Sequence, residues 1–587
     1  MDKCKQKAES CYENHFILHI TSCAGKDIAN WALDYSSVIF TQTMIGVERL
    51  IAMFRLLSRE FRRRQASGSK RQTQAESNGT KARLSKNMGE NLQTLRKVLG
   101  DSSDVIIRQM KINLDSDVDA AVIYIDGLVD RVLLNHDILQ PLMFNLHLIE
   151  DNGSHNQVLD FLKSSVLTVG QIMQTEDIDQ IIAGALSGNI AILAEGANQA
   201  LLIDAKGWEK RNIEEPTNEV SIRGPRDSFT ETLRTNTALI RRRIRDPRLT
   251  FKSMQIGQRS HTDVAVAYVQ GITPDGIVAE IEQRLKRIDT DIILDVYYIE
   301  EFIEDNPSSL FPSVGVSERP DVVAAKILEG RAAILVDGSP TALTVPFLFA
   351  EGFQNPDDYY ARSFFASLIR WVRFLGFVLS IYLPGIYVAL NSFHPELFPT
   401  PLLVSVAAAR EGLPFPSVVE ALLMMAVFEV LREAGLRMPR SLGQAVSIVG
   451  ALVIGQAAVS AGLVGAPMVI IISATAIASF LVVPYAEGGA LLRLAMTAIA
   501  GFLGLFGMVI VQLEILSFMA AVRSFGVPYF SPVSPLNLRG LKDTFIRAPL
   551  WMMDSRPDFL NSPDKKRQAP GQMPGPPETE PDRGTGQ

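Results

Sequence analysis

Cysteine is nearly absent from this sequence: 587 residues hold three, Cys4, Cys11 and Cys23, and their spacings match neither a zinc knuckle nor a CxxC redox pair. A disulfide framework, a structural metal and thiol chemistry are therefore not expected. The seven histidines are scattered, and GxxxxGK[ST], GxGxxG and HExxH do not occur. Without these signatures the chain is read as no enzyme, with no catalytic residues, no metal ligands and no cofactor. A basic excess is lacking as well. The formal net charge is −7 and the pI is about 5.7, which argues against a nucleic-acid partner. Nor does the start, Met1-Asp2-Lys3-Cys4, lead into an uninterrupted apolar stretch, so no cleavable signal peptide is expected and the soluble part is placed in the cytoplasm.

What the sequence does have is apolar length toward one end. Its mean hydropathy of +0.14 averages a polar first part with a very apolar stretch from about Phe364 to Val522. Phe374 to Phe393 is a charge-free run of 20 residues, enough to cross roughly 30 Å of hydrocarbon at about 1.5 Å per residue. Ser441 to Ala486 gives 46 uncharged residues with Gly462, Gly465 and Pro467 near the middle, which reads as two spans joined by a tight turn, and Leu494 to Leu513 adds another 20. Arg362, Arg370 and Arg373 precede the first run, Arg432, Arg437 and Arg440 the second, and Arg493 the last. These basic sides are all cytoplasmic if Leu413–Val430 also crosses, giving about five spans, with 398–411 a re-entrant or interfacial piece. Five crossings carry the tail outward, whereas Arg523, Arg539, Lys542 and Arg547 favour the inside, and Ile515–Val522 is too short for a sixth crossing. The side of the tail stays open at this point.

Ahead of the spans, residues 1–64 read as an extension with an amphipathic helix. Residues 65–91, rich in Ser, Gly, Asn, Gln, Lys and Arg and without an aromatic residue, read as a flexible linker. An internal repeat follows. Asp119-Ala-Ala-Val-Ile-Tyr124-Ile-Asp-Gly127 returns 144 positions later as Asp263-Val-Ala-Val-Ala-Tyr268-Val-Gln-Gly271, and Ala191-Ile-Leu-Ala-Glu195-Gly196 returns 142 later as Ala333-Ile-Leu-Val-Asp337-Gly338. Each block is a short apolar run stopped by glycine, a buried strand followed by a turn. The fold class is accordingly an α/β soluble region of two repeated subdomains, 92–220 and 221–350, plus an all-α polytopic membrane domain at 360–535. A tail, 536–587, is expected to be disordered after about residue 555.

At the subdomain junction, Ser228 and Glu231 have capping-box spacing, so a helix is expected to begin near Phe229. Arg223, Arg226, Arg241, Arg242 and Arg243 either bind an anion or headgroup there or cap a helix end and solvate the junction. Within the spans, ionisable and polar side chains are costly against lipid, which makes Glu420, Gln444, Ser447 and Gln456 candidates for lining a pore. Glu429, with Arg432 three residues on, reads as an interfacial ion-pair member. Pro384, Gly385, Gly465 and Pro467 mark where spans could bend.

Several strings resemble one family closely. Ile299-Glu-Glu-Phe-Ile303-Glu-Asp305-Asn-Pro307, Gly330-Arg-Ala-Ala-Ile-Leu-Val-Asp337-Gly338, Leu383-Pro384-Gly385-Ile-Tyr387, Arg410-Glu411-Gly412-Leu-Pro414-Phe-Pro416, Phe428-Glu429-Val-Leu-Arg432-Glu433 and Ser524-Phe-Gly-Val-Pro528-Tyr529 look like the A subunits of GerA-family spore germinant receptors. The resemblance covers roughly residues 92–535. It implies a subunit of the bacterial spore inner membrane that works with a transporter-like B subunit and a lipoprotein C subunit, contacts membrane lipids and assembles with itself as a ring, a pentamer, forming a germinant-gated ion channel. Ser517 stands where many relatives carry a histidine. The stage V sporulation AF protein, an accessory ion-release relative, is not separated from the receptors by motif. A secondary transporter lacks its expected inverted repeats.

Overall fold

In this computed structural model the described residues are 83–574, apart from 113–117, 145–158, 160–161, 164–170, 208–215, 217–218, 220, 439–452 and 538–539. The N-terminal extension, most of the linker, Gln444 and Ser447 lie outside them.

Lobe I runs α1 (Met88–Leu99), β1 (Val105–Ile112), β2 (Val118–Ile125), β3 (Ile172–Thr175), α2 (Ile178–Leu186), β4 (Asn189–Ala194) and β5 (Ala200–Asp204). Lobe II runs α3 (Leu233–Arg243), β6 (Leu249–Ile256), β7 (Thr262–Val269), α4 (Asp275–Lys286), α5 (Val296–Ile303), β8 (Gly315–Ser317), α6 (Pro320–Glu329), β9 (Ala332–Val336) and β10 (Ala342–Val345). Both sheets are antiparallel with one shared strand order, β1-β2-β4-β5-β3 and β6-β7-β9-β10-β8. Tyr124 sits opposite Ile106 in β1 and Tyr268 opposite Thr250 in β6, so the repeated tyrosines hold equivalent positions.

The strands are apolar without alternation because each sheet is covered on both faces. In β4, Ile190, Ile192 and Ala194 enter one core while Ala191 and Leu193 enter the other, and β9 divides Ala332, Ile334 and Val336 from Ala333 and Leu335 in the same way. Full burial of each large aliphatic contributes about 1.5–3 kcal/mol.

The repeat reaches further back than its strands. Asn91 of α1 accepts from Ser85 N–H at 2.8 Å and donates to Ser85 O at 2.6 Å, and Asn236 of α3 does the same with Thr230 at 2.8 and 2.6 Å. The first N–H of each helix is capped by the acidic residue of the repeated turn, Met88 by Glu195 and Leu233 by Asp337, both at 2.9 Å. These caps correct two expectations. Helix α3 starts at Leu233, not near Phe229, because Asp337 supplies the acceptor that Ser228 was expected to give; the Ser228 hydroxyl instead donates to Phe229 O. Order also begins before the expected end of the linker, with Leu84 already buried.

Beyond lobe II come α7 (Ser363–Ser392), α8 (Thr400–Arg410), α9 (Ser417–Arg437), α10 (Ala466–Ser479) and α11 (Ala486–Ala521). Helix α7 and the stretch Val483–Ala521 are long and apolar enough to cross a bilayer. Helix α11 is two arms, because Gly504 has φ +63 and ψ −154, a region open in practice only to glycine. Its backbone packs against Phe393 and His394 at the far end of α7. Both ends of α11 meet lobe II: Tyr485 OH donates to Phe349 O at 2.6 Å, and Ser524 Oγ to Ser313 O at 2.7 Å. The chain therefore leaves lobe II along 486–503, turns at Gly504 and returns along 505–521.

That hairpin divides an expected span. The run Leu494–Leu513, expected as one crossing, is folded at its middle, and Ile515–Val522 completes the return arm. Helix α9 begins at the far end, where Ser417 Oγ lies 2.8 Å from Ser392 Oγ, and reaches the lobe-side half, where Phe428 packs edge-on against Phe480. The tail lies on the lobe side, which agrees with its basic residues. It is also ordered past residue 555, since Arg556 donates to Leu328 O at 2.9 Å and Arg567 pairs with Glu329 at 3.5 Å.

Candidate functional site

Two of the strings quoted for the resemblance, Ile299–Pro307 and Ser524–Tyr529, meet at the joint between lobe II and the membrane helices. After α11 the chain forms a two-residue ladder, β11 (Arg523–Ser524) with β12 (Val527–Pro528). Its tip, Phe525, donates N–H to Asp305 Oδ2 at 2.6 Å, and the Arg284 guanidinium lies 4.3 Å from its ring centroid. Phe349 is the hub. It stacks on Tyr485 and Phe530 at 5.3 Å each and meets Phe353, Phe311 and Phe377 edge-on at 5.2, 5.9 and 5.9 Å. Offset and edge contacts of this kind add about 0.5–1.5 kcal/mol each beyond burial.

Charges are buried beside the rings. Arg331 pairs with Glu351 and donates to Pro346 O at 3.0 Å, while Lys326 sits 3.6 Å from Glu351 and 5.3 Å from the Phe347 ring. Burial holds the Lys326 ammonium below its ordinary range, and Glu351 opposes that shift. Opposite Glu487, at the start of α11, stands Glu300 of α5; burial, then Glu304 and Glu487, push its carboxyl up to about 7. At the head of α7, Arg370 bonds Asp358 at 3.0 Å and Asp543 of the tail at 2.9 Å, and Arg373 shares Asp358 at 2.8 Å.

Of the junction arginines, Arg241 is fully buried. It clasps Asp104 of lobe I through Nε and Nη2, both at 2.9 Å, reaches Ser102 Oγ at 3.2 Å and lies 5.2 Å from the Phe251 ring. Arg243 pairs with Asp227 at 2.5 Å. Arg242, Arg243 and Arg245 line a cavity of 730 Å³ with Lys206, Asp227, Leu128 and Leu239. Such a lining attracts anions. Arg223 and Arg226 are exposed.

In the membrane helices, Glu420 is buried; its Oε1 accepts from Gly465 N–H at the head of α10, and Oε2 has no protein partner. Gln456 is exposed. Gly465 and Pro467 start α10 instead of bending a span, whereas Pro384 and Gly385 lie inside continuous α7, where the α11 arms approach Gly385 through Met496 and Met508. Glu429 pairs with Arg432 at 2.7 Å, as its spacing suggested, and with Arg493 of α11 at 2.5 Å; Arg493 also reaches Ser380 O of α7 at 3.4 Å. Local spacing could not reveal Arg493 as a partner of Glu429, Arg331 stood out only as a member of the quoted Gly330–Gly338 string, and nothing in the sequence singled out Phe349.

Against known proteins, the profile of the family described as Bacillus/Clostridium GerA spore germination protein matches residues 93–559. Spore germination protein KA of Bacillus subtilis (strain 168) is 44% identical over 84% of this chain and 90% of its own length. Stage V sporulation protein AF of the same organism is 30% identical over 80% and 94%. The crystal structure of the N-terminal domain of the A subunit of the Bacillus megaterium spore germinant receptor GerK3 covers 46% of this chain and 98% of that one, at 35% identity and a TM-score of 0.37.

Proposed function

The chain belongs to the GerA family of Bacillus/Clostridium spore germination proteins, and on that premise we propose that it is the A subunit of a nutrient germinant receptor whose copies form a germinant-gated ion channel. Its partners in this reading are a transporter-like B subunit, a lipoprotein C subunit, membrane lipids and further copies of itself in a ring of five. Its place is the spore inner membrane, with both lobes and the tail on the cytoplasmic side. In this reading the hairpin adds one crossing to the about five expected from the sequence, and α7, α9, α10 and the two arms of α11 are among them.

The observation that carries this reading is the joint. Lobe II holds both ends of the α11 hairpin through Phe349, Ser313 and Asp305, so displacement of the lobe reaches the spans directly. Identity of 44% to a spore germination protein against 30% to the stage V AF protein favours the receptor over the accessory channel. Gln444, Ser447, Gln456 and the free oxygen of Glu420 are the proposed lining groups.

The test is ion flux. The chain is co-purified with its B and C subunits, placed in potassium-loaded liposomes and exposed to a mixture of amino acids, sugars and nucleosides. Nutrient-dependent potassium release is expected. No release from the assembled complex under any nutrient, together with normal nutrient germination of spores lacking this chain, sinks the reading.

A further inference from the structure

The hairpin at Gly504 moves one carboxylate to an unexpected depth. Glu514 lies ten residues past the turn and seven before Ala521, where α11 ends. At about 1.5 Å per residue it sits about 15 Å from the far end of a span that crosses about 30 Å, near the middle of the bilayer.

Its side chain is exposed on the surface of the single chain, and among the described residues it makes no hydrogen bond and no ion pair. The other carboxylates inside the spans are held: Glu429 by Arg432 and Arg493, Glu420 by Gly465 N–H. Glu514 shares its helix face with Ser517 and Ala521, three and seven residues on. Of the exposed large apolar side chains of the same arm, Phe506, Val509, Leu513 and Leu516 form a stripe about 120° away, while Ile510 and Phe518 flank Glu514 on its own face, four residues to either side. An unpartnered carboxylate at this depth is costly against lipid, whatever its apolar neighbours. The apolar stripe takes the lipid, and the carboxylate requires water or protein.

We propose that Glu514 faces a water-filled path shared between copies of this chain and there binds the passing cation with its free carboxylate. A ring of such groups, one from each copy, concentrates cations and repels anions, since among the described residues no arginine or lysine pairs with it. The inference rests on the channel reading above and assigns its selectivity to a residue that the Leu494–Leu513 span left at the membrane exit.

The first test does not depend on conduction. With Cys4, Cys11 and Cys23 replaced by serine, Glu514→Cys and Leu513→Cys are reconstituted as full chains in liposomes and treated with membrane-impermeant thiosulfonates of either charge or with a lipid-soluble maleimide. Glu514→Cys is expected to react at least tenfold faster than Leu513→Cys with the impermeant reagents of either charge. Reaction at Glu514→Cys with the lipid-soluble reagent alone overturns the proposal; it points to lipid or to a dry protein contact. The second test compares Glu514→Gln and Glu514→Lys, checked for assembly by gel filtration, in the flux assay. Cation-over-anion permeability is expected to fall at least fivefold in Glu514→Gln and further in Glu514→Lys. Unchanged conductance and selectivity in both refute the role of Glu514 while leaving the channel intact. If the unaltered complex conducts nothing, the channel reading falls, and thiol accessibility decides by itself where Glu514 points.

Discussion

Replacing Arg241 by methionine should loosen the contact between the two lobes, because its guanidinium makes the fully buried ion pair among their polar contacts, which also include Arg234–Asp126 at 3.1 Å and Phe251 N–H to Ser102 Oγ at 2.9 Å. At an effective dielectric of about 20, opposite charges about 4 Å apart attract by about 4 kcal/mol. Asp104, whose side chain is 2% exposed, pairs with no other cation among the described residues. Taking one partner from a buried pair typically costs about 3–5 kcal/mol, whereas replacing both by apolar groups of similar volume is often neutral. Arg241→Met is therefore expected to lower the thermal midpoint of the soluble region by about 6–20 °C, at about 2–4 °C per kcal/mol for a unit of this size. Arg241→Met combined with Asp104→Leu should recover most of that loss. Scanning calorimetry of the full chain in detergent, with intrinsic fluorescence as a second probe, reads both. A single variant within about 1 kcal/mol of the parent, or a double variant as unstable as the sum of its singles, refutes the reasoning.

Gly504→Ala should cost about 1–3 kcal/mol from backbone conformation, and more from its approach to Phe393; an unchanged melting midpoint in detergent would mean that glycine's freedom does not hold the turn. Glu300 gives a pH signature. Its folded carboxyl is raised to about 7, so between about pH 4.5 and 7 the folded state binds more protons than the unfolded one, and stability falls as pH rises through that window. Glu300→Gln should flatten the dependence, and an identical pH profile in the variant would remove Glu300 as its source.

The repeated strands were legible because a sheet covered on both faces leaves a continuous apolar run, and Asp119–Gly127 and Asp263–Gly271 carry it twice. Helix starts were less so. Ser228 and Glu231 have the spacing of a cap, but the acceptor that starts α3 is Asp337, 104 residues from Leu233, and local pattern cannot reach that far. Among the arginines, composition does not distinguish Arg241, aimed into Asp104, from exposed Arg223. The fold in the run Leu494–Leu513 was hidden at Gly504, one of 41 glycines, which packs against Phe393 and His394. Glu514 was overlooked for the same reason, as it stands one residue beyond a run that looked like a complete crossing.

The hairpin has a mechanical consequence. Both arms are fastened at their lobe-side ends to one rigid body, and neither is fastened to it at the Gly504 tip. A push or pull from lobe II cannot slide one arm past the other like a piston, because both ends move together. What lobe II can impart is torque, and the pair then tilts as a single lever. With arms of about 18 residues, about 27 Å long, a 5° tilt at the base sweeps the tip by about 2 Å and moves mid-lever side chains by about half as much. In the proposed ring such levers would open and shut like the blades of an iris, with the largest travel at the end farthest from the lobes.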